Sequence, residues 1–196
     1  MENANLNPDE RRAVLKQFNH RINNDLQALL AFIKLKQRFG VDNAEILNFS
    51  SVSIASISAI QNQMYYADDE SEISAGEFLN EFKKVLDDNY SRSNVEFSYN
   101  IKSDFSMHPK TIFHMMFLLN EMVSLTLSTG ECTKIGFELE KNENDCILTY
   151  SDTGIKETLS GSDMRKLLFE QSLKQIRGIL LSDNPVISIR FPADEN

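Results

Sequence analysis

Cysteine is scarce in this sequence of 196 residues, long apolar runs are missing, and basic residues are outnumbered by acidic ones. Against 29 aspartates and glutamates stand only 20 lysines and arginines, a formal net charge of -9. Nucleic acid and anionic membrane both favour basic patches, so neither is expected as the main partner; a protein or a small ligand is. No run of about 18 apolar residues is present to span a bilayer. The opening MENANLNPDERR lacks the basic-then-apolar order of a signal peptide, so a cytoplasmic location is expected. The two cysteines, Cys132 and Cys146, belong to no metal-ligand motif and lie in or beside strand-like runs. They could face each other across a hairpin, but a reducing compartment favours buried free thiols, without chemistry of their own. His108 and His114 have no partner at metal-ligand spacing and read as structural, so no metal site is expected.

What is present is an ordinary globular balance, 41% hydrophobic and 25% charged, in a length that suits one domain or two small ones. Asn7-Pro8-Asp9-Glu10 starts a helix, with a cap, a proline at the first position and acids in the first turn. If it runs to Phe39 it is about 48 Å long, and Gly40 ends it. Leu15, Phe18, Ile22, Leu26, Leu29 and Ile33 form one apolar stripe at spacings of three and four. A second helix from Ala44 to about Tyr66 puts Ile46, Phe49, Ser53, Ile57, Ile60 and Met64 on its own stripe. Two such helices make a hairpin, and two hairpins about a two-fold axis would close a four-helix bundle, so a homodimer is expected. The small residues of SSVSIASISAI suit close helix approach.

The acidic, turn-like stretch from Ala67 to Glu72 marks a boundary between domains 1–68 and 73–196. After it the patterning predicts a helix from Ser74 to Asp88 with Phe78, Phe82 and Val85 inward, and a strand from Val95 to Ile101. A very apolar helix from Met107 to Leu127 follows, then strands at Lys134–Glu140 and Cys146–Ser151. A helix from Ser162 to Leu180 and a strand from Val186 to Phe191 complete the chain. Mostly antiparallel strands alternating with helices predict an α/β sandwich with helices on one face, an α+β fold overall.

His20 projects away from the apolar seam of the first helix, among Asn19, Arg21, Asn23, Asn24 and Gln27. Alone, a histidine on a polar helix face is ordinary solvated decoration. The run HRINNDLQ, however, resembles the phosphoacceptor helix of the histidine kinase subfamily with the signature H-R-x-x-N-x-L-Q (HisKA_2-like). His20, Arg21, Asn24, Leu26 and Gln27 match in register; Asn23 stands where lysine is usual and Asp25 where asparagine is common. The order of elements after Ile73 likewise resembles the ATP-binding domain of histidine kinases. LNEMVSLTLS keeps Asn120 and Glu121 of the N-E-L-x-x-N-A-x-K-H box, but the second asparagine is Leu125, and the lysine and histidine are lost. SDTGIKE keeps Asp152 and Gly154 of the D-x-G-x-G box, but Lys156 replaces the second glycine, and no glycine-rich lid follows, only Gly161. Losing three nucleotide contacts at roughly 1 to 3 kcal/mol each should abolish useful ATP affinity. Asn120, Glu121, Asp152 and Gly154 then read as vestiges, the first two as structural polar groups capping or bridging helix to sheet.

The resemblance thus implies a dimeric histidine phosphotransferase, in which His20 would carry a phosphoryl group between the aspartates of response-regulator receiver domains. Arg21 would offset phosphate charge and Asn24 would orient phosphate or water; Mg²⁺ would come from the receiver, and the chain would need no cofactor of its own. Three other readings stay open: a kinase core with a divergent ATP site, a receiver phosphatase in which Asn24 or Gln27 places water, and a non-catalytic adaptor.

Overall fold

A computed structural model describes residues 7–66, 72–102, 104–128, 132–142, 144–153, 163–183 and 186–192. Helix α1, Pro8–Arg38, runs for 31 residues and α2, Asn43–Tyr66, for 24. Gly40 ends α1 as expected: its φ of 71° lets its own N–H reach Gln37 O and that of Val41 reach Lys36 O, two of the orphan carbonyls of the last turn. Asp42 then opens α2, its carboxylate accepting from Ala44 N.

The second half begins with a two-residue strand, β1 (Ile73–Ser74), whose Ser74 caps α3 (Ala75–Asn89) by accepting from Glu77 N. Strand β2 (Glu96–Ile101) and the short β3 (Ser106–Met107) precede α4 (Pro109–Ser128). Then follow β4 (Lys134–Asn142), β5 (Asp145–Asp152), α5 (Asp163–Gln175), β6 (Ile179–Asp183) and β7 (Ile187–Pro192). The five-stranded sheet has the order β2-β4-β5-β7-β6, parallel only between β2 and β4. Burial alternates along β4, β5 and β7, so one face meets the helices.

Two expectations are corrected. The helix predicted to reach Leu180 stops at Gln175, and Ile179–Asp183 pairs with β7 instead. The stop is a local hydrogen-bonded cap: Gly178 N donates to Leu173 O and Arg177 N to Lys174 O, with Arg177 at φ 52°. A Cβ on Gly178 would lie 2.6 Å from Leu173 Cδ1, so this close turn needs glycine. In the first helix Leu26 is not on the buried stripe but 45% exposed; Leu29 and Lys36 are buried and Phe32 is packed against the core. The side chains of Leu15, Phe18 and Met64, and residues Ser162, Gly154, Lys156 and Gly161, lie outside what the structure describes. On α2, Ile46, Phe49, Ser53, Ile57 and Ile60 are buried as expected.

One core runs through the molecule. Phe32 of α1 stacks on Phe117 of α4 at 4.8 Å, and Phe117 in turn meets Phe49 of α2 at 6.2 Å and Phe113 at 4.8 Å. On its other side α4 meets the sheet, where buried Tyr150 donates to Met122 O. This double coverage explains the composition of α4: long and apolar enough to cross a membrane, it has 72% of that stretch buried inside the protein. Both cysteines are buried and neither is in a disulfide; Cys146 stands opposite Lys141 rather than Cys132.

Candidate functional site

His20 sits exposed on α1, in an open groove lined by Arg12, Lys16, Asn19 and Asn23 of the same helix. Lys16 and Arg12 precede it by four and eight residues, so at about 100° per residue they share its side of the helix and place two cations along the approach to the ring. Sequence reading missed both, although the four-residue spacing was visible. Exposed Gln27 lies near the azimuth of His20 but two turns further on, and lines neither cavity described here.

Arg21 and Asn24 turn the other way. They line a cavity of about 310 Å³ between α1, α2 and the start of α4, together with Asp25, Gln61 and residues around His108. His20 is not among its lining residues. Asp25, on the wall of this cavity, accepts from Gln61 Nε2 at 2.9 Å. Its carboxyl is raised from 3.8 to about 6, chiefly by burial, while the Gln61 hydrogen bond and the charge of Arg21 oppose the shift.

Between the two pKa values the folded chain keeps a proton that the unfolded chain has lost, so the stability Asp25 contributes is largest in acid and falls as pH rises through about 6. Asp25→Asn keeps an acceptor for Gln61 and removes the charge. It should stabilise the protein near pH 7.5 by on the order of 1 kcal/mol after solvent screening, or about 2–4 °C in Tm. The difference should close as pH approaches about 4, where both forms are neutral; a thermal-melt series that shows no such convergence contradicts the assignment.

The residues matched to the nucleotide boxes are placed differently from one another. Asn120 is fully buried and donates to Phe49 O at 2.9 Å and Ser53 Oγ at 2.8 Å, both on α2. Glu121 is buried too, 2.7 Å from the ammonium of Lys36, which is 0% exposed. That ammonium also lies 3.3 Å from Glu45, which accepts from Ser124 Oγ at 3.0 Å, and 4.7 Å above the ring of Phe49. Asn120 and Glu121 therefore bridge α4 to the hairpin, not to the sheet. Leu125 is partly buried against the core. Half-buried Asp152 accepts from Thr126 Oγ1 at 3.3 Å, and Gly154 lies outside the described residues. Lys36 was not singled out from sequence, although it follows Leu29 by seven residues and so sits on the buried side of α1. Among the described residues no cluster of histidine, cysteine, aspartate and glutamate could hold a metal ion.

Comparison with known proteins gives this geometry its relatives. Residues 17–90 match the HisKA_2 histidine kinase family model. The EL346 blue-light activated histidine kinase of Erythrobacter litoralis is similar over 92% of this chain, with a TM-score of 0.66 at 14% identity; the chain spans 63% of that protein. Against the histidine kinase domain of the same protein the TM-score is 0.61 at 12% identity, with 95% of each chain covered. The Acinetobacter baumannii histidine kinase AdeS gives 0.53 at 12% identity, covering 90% of this chain and 98% of that one. A search of curated proteins found no match. In fold, then, the chain is similar to histidine kinase cores, and over residues 17–90 its sequence matches the HisKA_2 histidine kinase family.

Proposed function

We propose that the chain is a histidine phosphotransferase, which takes a phosphoryl group from the phosphoaspartate of one response-regulator receiver domain onto His20 and passes it to the aspartate of another. A neutral imidazole nitrogen of His20 attacks phosphorus in line; the N–P bond forms as the bond to the aspartyl oxygen breaks, and the carboxylate leaves. Lys16 and Arg12 offset charge on the incoming phosphoryl group, and the receiver brings the Mg²⁺ and the lysine that complete the neutralisation. The observation that carries this reading is the contrast between two ends of one resemblance. His20 stands on an open helix face, while Asn120 and Glu121 are committed to the hairpin and Leu125 stands where the resembled box has its second asparagine.

Those residues do not fit a magnesium nucleotide, because both retained polar groups of that box face α2 and Lys36 within the core. Calorimetry with Mg-ATP is expected to show no binding in the low-micromolar range; such affinity would favour the kinase reading.

The same reading includes a homodimer. Leu26 and Leu30 of α1 and Leu47 and Ile54 of α2 are 45 to 69% exposed, and Leu47 and Ile54 are a heptad apart on one face. A second hairpin laid on that face covers them and closes a four-helix bundle. The wild type should be a dimer at micromolar concentration by light scattering. Leu47→Asp with Ile54→Asp should be a monomer of nearly unchanged Tm, since both side chains are exposed in the single chain; a monomeric wild type contradicts the dimer.

A further inference from the structure

From the cavity between the two helices of the hairpin and the start of α4, we infer a second site on this chain, one that binds a small phosphate monoester beside the phosphoacceptor helix. The inference does not depend on the phosphotransferase reading, because His20 does not line this cavity.

Three elements far apart in sequence converge there. Arg21 comes from α1, Gln61 from α2, and His108, Lys110 and His114 from the start of α4. Two of these side chains carry fixed positive charge and two are histidines; Asp25 is the single carboxylate among the lining residues. That balance is opposite in sign to the chain as a whole, at -9, and it concentrates cations where the first turn of a 20-residue helix adds its positive dipole end. His108 Nδ1 accepts from Lys110 N at 3.2 Å, which leaves Nε2 as the ring nitrogen that carries a proton.

An independent observation points to a ligand. Gln61 is 7% exposed; its Nε2 is held by Asp25, and its Oε1 is buried with no hydrogen-bond partner among the described residues. A buried acceptor without a donor costs about 1–3 kcal/mol, and a hydroxyl on a guest, such as the P–OH of a phosphate monoanion, would relieve it once the amide turns toward the cavity that Gln61 lines. Apart from Asn24, the rest of the wall is apolar, with Phe113, Ile60, Pro109 and Ala28. A cation-rich end, one buried acceptor and an apolar wall in about 310 Å³ match a phosphate group on a small organic body better than a bare ion.

Phenyl phosphate supplies that chemistry as a probe, with inorganic phosphate and benzoate as controls, titrated into the whole chain by calorimetry or by following amide NMR shifts. Phenyl phosphate should bind wild type more tightly than either control. Lys110→Glu, a reversal at an exposed position that leaves the fold intact, should weaken it at least about tenfold, and His114→Gln by several-fold. His20→Gln should bind it as wild type does. No binding of phenyl phosphate at about 10 mM, equal binding of benzoate, indifference to Lys110→Glu, or loss of binding in His20→Gln would each overturn the site.

Discussion

Replacing His20 by glutamine is expected to abolish acid-labile labelling of this chain by a phosphorylated receiver while leaving the folded protein almost untouched. The two halves of that result come from the same geometry. His20 is exposed on α1, its neighbours in the groove are solvated polar side chains, and the buried side of the helix is carried by Leu29 and Lys36 further along. An exposed substitution away from caps and core usually changes stability by no more than about 0.5 kcal/mol. The chemical effect has no such ceiling, since without the imidazole there is no nitrogen to form the N–P bond, and neither His108 nor His114 lies in that groove. Lys16→Gln should give an intermediate phenotype, slower labelling with the same end point, because Lys16 acts only through charge. Residual labelling of His20→Gln would transfer the role to another residue.

The second large effect concerns the joint between the hairpin and α4. Lys36→Met is expected to cost about 3–5 kcal/mol of stability, a large share of the roughly 5–15 kcal/mol that holds a typical domain. Lys36 is the cation shared by two carboxylates, 2.7 Å from Glu121 and 3.3 Å from Glu45, in a site where its own side chain is 0% exposed. Removing it takes from buried Glu121 its ammonium partner at 2.7 Å, with Ser124 still donating to Glu45. Combining Lys36→Met with Glu121→Leu should recover much of the loss, because replacing both members of a buried pair by apolar groups is often near neutral. Urea denaturation of the single and double variants measures both numbers. A Lys36→Met cost below about 1 kcal/mol would mean that the cluster is too well hydrated to act as a lock.

This joint also shows where sequence reasoning reached its limit. Local signals carried through: Asn7 precedes α1 and Pro8 begins it, Gly40 turns it off, and the α2 stripe from Ile46 to Ile60 is the buried one. Each of these depends on residues within a turn or two of one another. The end of α5 was also a local matter, but Ile179, Leu180 and Leu181 extend the apolar pattern past Gly178, and a short apolar run does not distinguish a buried helix from an edge strand. Strands of two residues, such as β1 and β3, carry no period to read. The direction faced by Asn120 and Glu121 was beyond reach for a different reason. It is decided by Lys36, Phe49 and Ser53, between 67 and 85 residues away in the chain.

The candidate site divides along the same line. The H-R-x-x-N-x-L-Q signature was legible as five matching residues, but the way it splits around α1 was not. His20 opens to solvent with Lys16 and Arg12; Arg21 and Asn24 close a cavity with the start of α4. The roles that the resemblance assigned to Arg21 and Asn24 as partners of the phosphoryl group on His20 now have a competitor in Lys16 and Arg12. Comparing the labelling rates of Lys16→Gln and Arg21→Gln decides which pair serves the transfer.

The source of the phosphoryl group separates a phosphotransferase from a kinase most directly. Wild-type protein is incubated in parallel with a receiver carrying labelled phosphoaspartate and with labelled Mg-ATP, and the acid-labile, base-stable label on the chain is followed over time. A phosphotransferase takes label from the receiver and none from ATP. Label acquired from ATP, or none acquired from any phosphorylated receiver, contradicts it.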